Sequence, residues 1–117
     1  MPKSVITIAA KLIKDDTGNM EDIRVHEFAN DEEAHDDAAI ETLYSEFSEE
    51  FDNILTSLSK KYGKPTRIGN EDDDNIPLSG VLRFAIWAIN GRLLFAAIAH
   101  EDRGVPIMLM LGTAEGD

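Results

Sequence analysis

Asn90-Gly91 stands between two runs, Gly80–Ile89 and Arg92–His100, that are apolar almost throughout. Both turn residues tolerate the positive φ that a two-residue type I′ turn demands, so the pair predicts a β-hairpin and fixes its register. Ala88 then faces Leu93, Ile86 faces Phe95 and Phe84 faces Ala97. Side chains alternate across a strand, which places Leu82, Phe84, Ile86, Leu93 and Phe95 on one face and Trp87, Ile89, Leu94 and Ile98 on the other. A further strand, Val105–Leu111, follows. If His100 pairs with Val105 across a four-residue connection, Met108 and Met110 join the first face, and Ile107, Leu109 and Leu111 the second. Both faces of the sheet are apolar, so any fold of this chain has to cover both.

One cover is plain in the sequence. Ile40, Leu43, Tyr44, Phe47, Phe51, Ile54, Leu55, Leu58 and Tyr62 recur at spacings of three and four and make one continuous helical stripe. Lys60 and Lys61 suit the last turn, Gly63 the positive-φ terminus, and Pro65 prevents continuation. The start has two candidates: Asn30 with Glu33 as a capping box, or Asp36 or Asp37. From Asn30 the helix would be about 48 Å long. Upstream, Ser4–Lys14 is rich in β-branched residues and Glu21–Phe28 alternates, with turn chemistry over Asp15–Asn19 between them. Both segments read as strands of an N-terminal hairpin. The expectation is one α+β domain over residues 1–117: an antiparallel sheet of about five strands, in the order ββαβββ, with one long amphipathic helix on one face. A single helix leaves one face open. Trp87, Leu94, Ile98, Ile107 and Leu109 are expected to form a patch there, on the order of several hundred Å², more than a monomer usually exposes. A second copy in a two-fold contact, a partner, or the N-terminal hairpin would close it.

Charge narrows the function. The net charge is −12, and from Asp15 to Asp52 fifteen acidic residues meet one arginine. Lys60–Arg67 then holds four basic residues and no acid, followed by Glu71-Asp72-Asp73-Asp74. Such a field repels nucleic acid and anionic membrane and attracts basic proteins, besides keeping the chain soluble. The candidate contact residues are Glu41, Glu46, Glu49, Glu50 and Asp52 on the helix and Glu71, Asp72, Asp73 and Asp74 in the loop. There is no cysteine, which excludes disulfides, thiol catalysis and cysteine metal sites. The opening residues lack the long apolar core of a signal peptide and no stretch is long enough to span a membrane, so a soluble cytoplasmic protein is expected.

His100-Glu101-Asp102 is the one cluster with chemical potential in the strand region. Polar residues ending in Gly104 are what an antiparallel connection needs, so the cluster reads as a strand end and a turn. No nucleophile elbow, phosphate loop, dinucleotide fingerprint or zincin motif occurs, and neither acidic run has the glycine register of a calcium loop. No catalytic residue, metal or cofactor is expected.

The run LTSLSKKYGKP (Leu55–Pro65), followed by a Trp-bearing β-meander that ends VPIMLMLG (Val105–Gly112), resembles small stand-alone bacterial proteins, among them immunity proteins of contact-dependent and other polymorphic toxin systems. The resemblance covers about half the chain. It implies a cytoplasmic inhibitor that binds one cognate toxin domain and blocks its active site, acidic because nuclease toxins are basic, with no catalytic residues of its own. Two other classes stand beside it: a dimeric chaperone or adaptor using the apolar sheet face, and an enzyme built on His100, Glu101 and Asp102.

Overall fold

The computed structural model describes residues 5–15, 20–74, 76–102 and 104–115. In chain order these form α1 (Val5–Asp15), β1 (Met20–His26), α2 (Asp31–Ala34), α3 (Asp37–Tyr62), β2 (Arg67–Gly69), β3 (Val81–Ile89), β4 (Arg92–Ala99) and β5 (Ile107–Glu115). The five strands make one antiparallel sheet in the order β1-β5-β4-β3-β2, with α3 packed along one face. This is the α+β architecture that the hairpin and the helical stripe imply.

The β3–β4 hairpin has the expected register, with Asn90 at φ 51° and Gly91 at φ 82°. Ile98 pairs with Leu109, two residues from the expected β4–β5 register, and β5 runs on to Glu115. A slip of two preserves side-chain parity, so every residue of β5 keeps its expected face. Leu82 does not. A register shift between Val81 and Arg83 turns Val81 toward the Phe84 side and lets Leu82 pack on the Trp87 side.

Two expectations are corrected. Ser4–Lys14 is not a strand: its described part is helical, and there is no N-terminal hairpin. Val5, Ile8, Ala9 and Leu12 follow a three-four spacing, and that periodicity prevails over β-branched composition because it lets one helix face bury. Ala9 is fully buried between α1 and the rest of the core. Residues 16–19 of the expected turn lie outside the described residues. The second correction concerns the sheet faces. Trp87, Leu94, Ile98, Ile107 and Leu109 do not point away from the helix. They pack under α3 and α1, against Phe47, Phe51, Leu58, Ile8 and Leu12, and Trp87 is 1 % exposed. Alternation cannot tell which apolar face a helix will take; the polar atoms decide. The Trp87 Nε1–H donates to the Gly63 carbonyl at the end of α3, 2.9 Å away. Buried indoles need such an acceptor. Ala85 and Ala96, on the same face, leave room for the helices.

The opposite face, around Phe84, Ile86, Phe95 and Ala97, is covered in part by the β2–β3 connection, which lays Ile76 and Leu78 upon it. The polar stretch 66–79, expected from sequence to be a loop, thus contains the short strand β2 and supplies part of the second cover. It is pinned at several points. Asp72 Oδ1 accepts from the Val81 N–H at 2.8 Å, Arg67 pairs with Asp73 at 2.7 Å, and the His100 N–H donates to the Gly80 carbonyl at 2.9 Å. Gly80 has φ +68°, and a Cβ there would lie 2.6 Å from the Glu101 Cα.

Gly80→Ala is therefore expected to cost about 2 kcal/mol or more, from the positive φ and the backbone clash together. Gly104→Ala, with nothing within 4 Å of the added carbon, should stay within about half a kcal/mol. Urea unfolding followed by Trp87 fluorescence measures both.

Candidate functional site

The turn of chain between β1 and α3 is built by two helix caps in succession. Asn30 Oδ1 accepts from the Glu33 N–H at 2.9 Å and caps α2, while Asp36 Oδ1 accepts from the Ala39 N–H at 3.2 Å and caps α3. Both candidate starts are real, and the helix is broken between them at His35. The break lets α2 fold back toward the sheet, where Glu33 Oε1 meets His26 Nε2 at 3.0 Å. It also brings Asp31, Glu32, Asp36 and Asp37 to the N-terminal end of α3, where carboxylates are favoured by the helix dipole.

Sheet order gathers more acid at that same end. β1 finishes there, β3 and β5 begin there, and β4 ends there. The connections that follow carry Glu71, Asp72 and Asp74 before β3, and Glu101 and Asp102 after β4. Residues 27–59 and 68–82 contain no lysine or arginine, and Arg103, the one cation of the β4–β5 connection, lies outside the described residues. The lysines Lys60, Lys61 and Lys64 cluster at the opposite end of α3. Among the described residues the molecule thus has an acidic pole.

The middle of α3 is different. Arg24 Nη1 donates to Glu50 and Nη2 to Glu46, each at 3.0 Å, and its guanidinium sits 4.7 Å from the centre of the Phe47 ring. Arg83 pairs with Asp52 at 2.8 Å and lies 4.4 Å over Phe51. The Glu50 hydrogen bond, then that of Glu46, hold the Arg24 pKa above its ordinary value against the opposing effect of burial. Arg24 reaches the helix because a shift in the β1–β5 register between Asp22 and Arg24 puts it opposite Leu109, on the helix side, and sends Val25 outward. Of the acidic residues proposed from sequence, Glu46, Glu50, Asp52, Asp72 and Asp73 have internal partners, while Glu41, Glu49, Glu71 and Asp74 are exposed.

At the acidic pole a cleft of about 570 Å³ opens between the first two turns of α3 and the β4–β5 connection. Asp37, Ile40, Glu41 and Tyr44 line one side and His100 and Asp102 the other. The Tyr44 hydroxyl and His100 Nδ1 are 2.5 Å apart, with rings 5.7 Å apart and edge-on, and Phe28 closes the far side of the imidazole at 5.6 Å. His100 Nε2 is buried and has no hydrogen-bond partner among the described residues. One ring nitrogen is thus held by tyrosine and the other is buried, so the imidazole is fixed as part of the cleft wall. Glu101 is not in this cleft. Among the described residues no three His, Asp or Glu side chains converge as metal ligands, and no helix is long and apolar enough to cross a membrane.

Tyr44 was legible only as one more apolar-stripe residue, and Arg24 only as the lone cation of an acidic stretch; their partners are distant in sequence. Comparison with known proteins finds no match among family models, curated proteins or solved structures.

Arg24→Gln should lower stability by about 1 kcal/mol, combining two partly exposed ion pairs with the stacking on Phe47. Part of that loss should vanish in high salt. Glu49→Gln should change stability by less than about half a kcal/mol. Chemical denaturation in low and high salt tests the contrast.

Proposed function

We propose that this chain is a non-enzymatic acidic binding protein that docks a basic protein partner at its acidic pole, and that it acts as an immunity protein neutralising a cognate, nuclease-type toxin. The observation that carries the reading is the division of the acidic residues. Glu46, Glu50 and Asp52 along the middle of α3 are bridged to the sheet by Arg24 and Arg83, with Glu49 exposed among them, whereas the acids of α2, the first turns of α3 and the two connections accumulate at one end. A one-signed surface of this kind accelerates encounter with a partner of opposite charge and sets its orientation. The resemblance of Leu55–Pro65 and Val105–Gly112 to immunity proteins supports the same reading.

A second reading is favoured by a specific feature of β1. Met20 and Val25 are 39 % and 41 % exposed, and pairing puts both on the sheet face away from the helices, Met20 opposite Gly112 and Val25 opposite Met108. Such residues suit a dimeric adaptor. Sedimentation across a concentration series separates the readings: a dimer that Val25→Asp dissociates supports the adaptor, and a monomer throughout removes it.

For the first reading the test is whether a toxin domain is encoded beside this gene and, if so, whether the chain associates with it. The association rate should fall steeply with added salt, and Glu41→Lys, Glu71→Lys and Glu101→Lys together should slow it at least about tenfold, while Glu46→Gln has a much smaller effect. Rates indifferent to salt and to these reversals, or no protection of cells producing that toxin domain, would contradict it.

A further inference from the structure

A second cavity, about 180 Å³, lies on the other side of the β4–β5 connection from the acidic cleft. Leu78, Ala99, Val105, Pro106 and Met108 supply apolar walls, and among the described residues Glu101 is the one charged residue lining it. Ala99 and Met108 pair across β4 and β5 on the face away from the helices, and Val105 is 37 % exposed. We infer that this cavity is the anchor pocket for a single aromatic or large aliphatic side chain of the basic partner, one that has a lysine or arginine next to it in sequence. The inference rests on the proposed docking of a basic protein and says which contact holds it.

Size and chemistry set the occupant. An apolar cavity of about 150 Å³ is enough for a benzene ring, so this one accepts one ring or one branched side chain and no more. Its walls are fixed: Leu78 is held by the connection pinned through Asp72 and Gly80, and Ala99 belongs to a central strand. A preformed pocket loses little freedom on binding, which is where interface anchors concentrate. Charge gives the partner's other half. Glu101 stands in the wall, Asp102 follows it into the neighbouring cleft, and Glu71–Asp74 precede β3, whose Val81 pairs with Ala99. An apolar side chain entering here meets Glu101 in the wall, with Asp102 beyond it, so a flanking cation completes the contact and an acidic flank is disfavoured. Electrostatics alone would bring a basic protein to the pole without fixing its register; one filled pocket fixes it.

The test uses two peptides, Lys-Phe-Lys and Lys-Ala-Lys, added to the full chain in low salt, with the methyl resonances of Leu78, Val105 and Met108 followed by NMR. Lys-Phe-Lys should shift these three methyls saturably and at least threefold more than Lys-Ala-Lys. Ser79→Leu, which fills the mouth of the pocket from an exposed position, should abolish that difference while Trp87 fluorescence stays native. Glu101→Gln should weaken Lys-Phe-Lys without removing the methyl shifts at saturation. Equal responses to both peptides, or shifts unaffected by Ser79→Leu, would overturn the pocket and leave the acidic docking surface standing. Silence of the whole spectrum toward both peptides would overturn the pocket together with the docking it rests on.

Discussion

Two arginines on the helix-facing side of the sheet decide where α3 lies, and most of the molecule follows from that. Arg24 and Arg83 come from strands at opposite sides of the sheet, and each guanidinium covers a phenylalanine ring of α3 while pairing with carboxylates of the same helix. Individually these contacts are modest: an exposed ion pair contributes about 0.2–1 kcal/mol and a cation over a ring about 0.5–1 kcal/mol. Burial is far larger, at roughly 1.5–3 kcal/mol for each large apolar side chain. Yet burial is indifferent here, because both faces of the sheet could take the helix. The smaller, directional contacts choose, together with the Trp87 indole that finds its acceptor at Gly63. Apolar area makes the fold stable, and the polar contacts make it a particular fold.

Once the arginines are committed to the middle of α3, the rest of the acid has few cations to meet. The break at His35 and the strand order carry that acid to one end, and among the described residues Lys60, Lys61 and Lys64 sit at the other end of α3. Concentrating like charge costs stability through mutual repulsion, since carboxylates a few ångströms apart disfavour each other even in water. A chain selected for stability alone would spread it. The polar arrangement suits the docking proposed above, and it lies beside the pocket between Leu78 and Met108.

Local signals in the sequence were read directly. Asn90-Gly91 specified a turn because two successive positive-φ residues admit little else, and Gly63 with Pro65 ended the helix for the same kind of reason. The competing caps Asn30 and Asp36 were a faithful sign of two helices. What escaped depends on contacts between distant segments. The α1 segment has strand-like composition and helical spacing, and the partner that settles the matter, the α3–β5 groove, is far along the chain. The face taken by Trp87 was undetermined because the alternation is apolar on both sides. Ile76 and Leu78 are two apolar residues in a polar stretch, and nothing local marks them as a lid on a sheet. The acids at the pole were visible as composition, but which of them have internal partners depended on Arg24 and Arg83, and the cleft depended on Tyr44 meeting His100 across 56 residues of chain.

The acidic pole can be measured on the free protein. Paramagnetic relaxation of each backbone amide by a cationic nitroxide, divided by that from a neutral one, reports the local electrostatic potential residue by residue. The ratio should be highest for residues 31–44, 71–74 and 100–102, clearly lower for residues 46–53 where Arg24 and Arg83 bridge the helix to the sheet, and below one near Lys60–Lys64. A ratio that is uniform along α3, or highest at its middle, would contradict the division of charge on which the proposed docking depends.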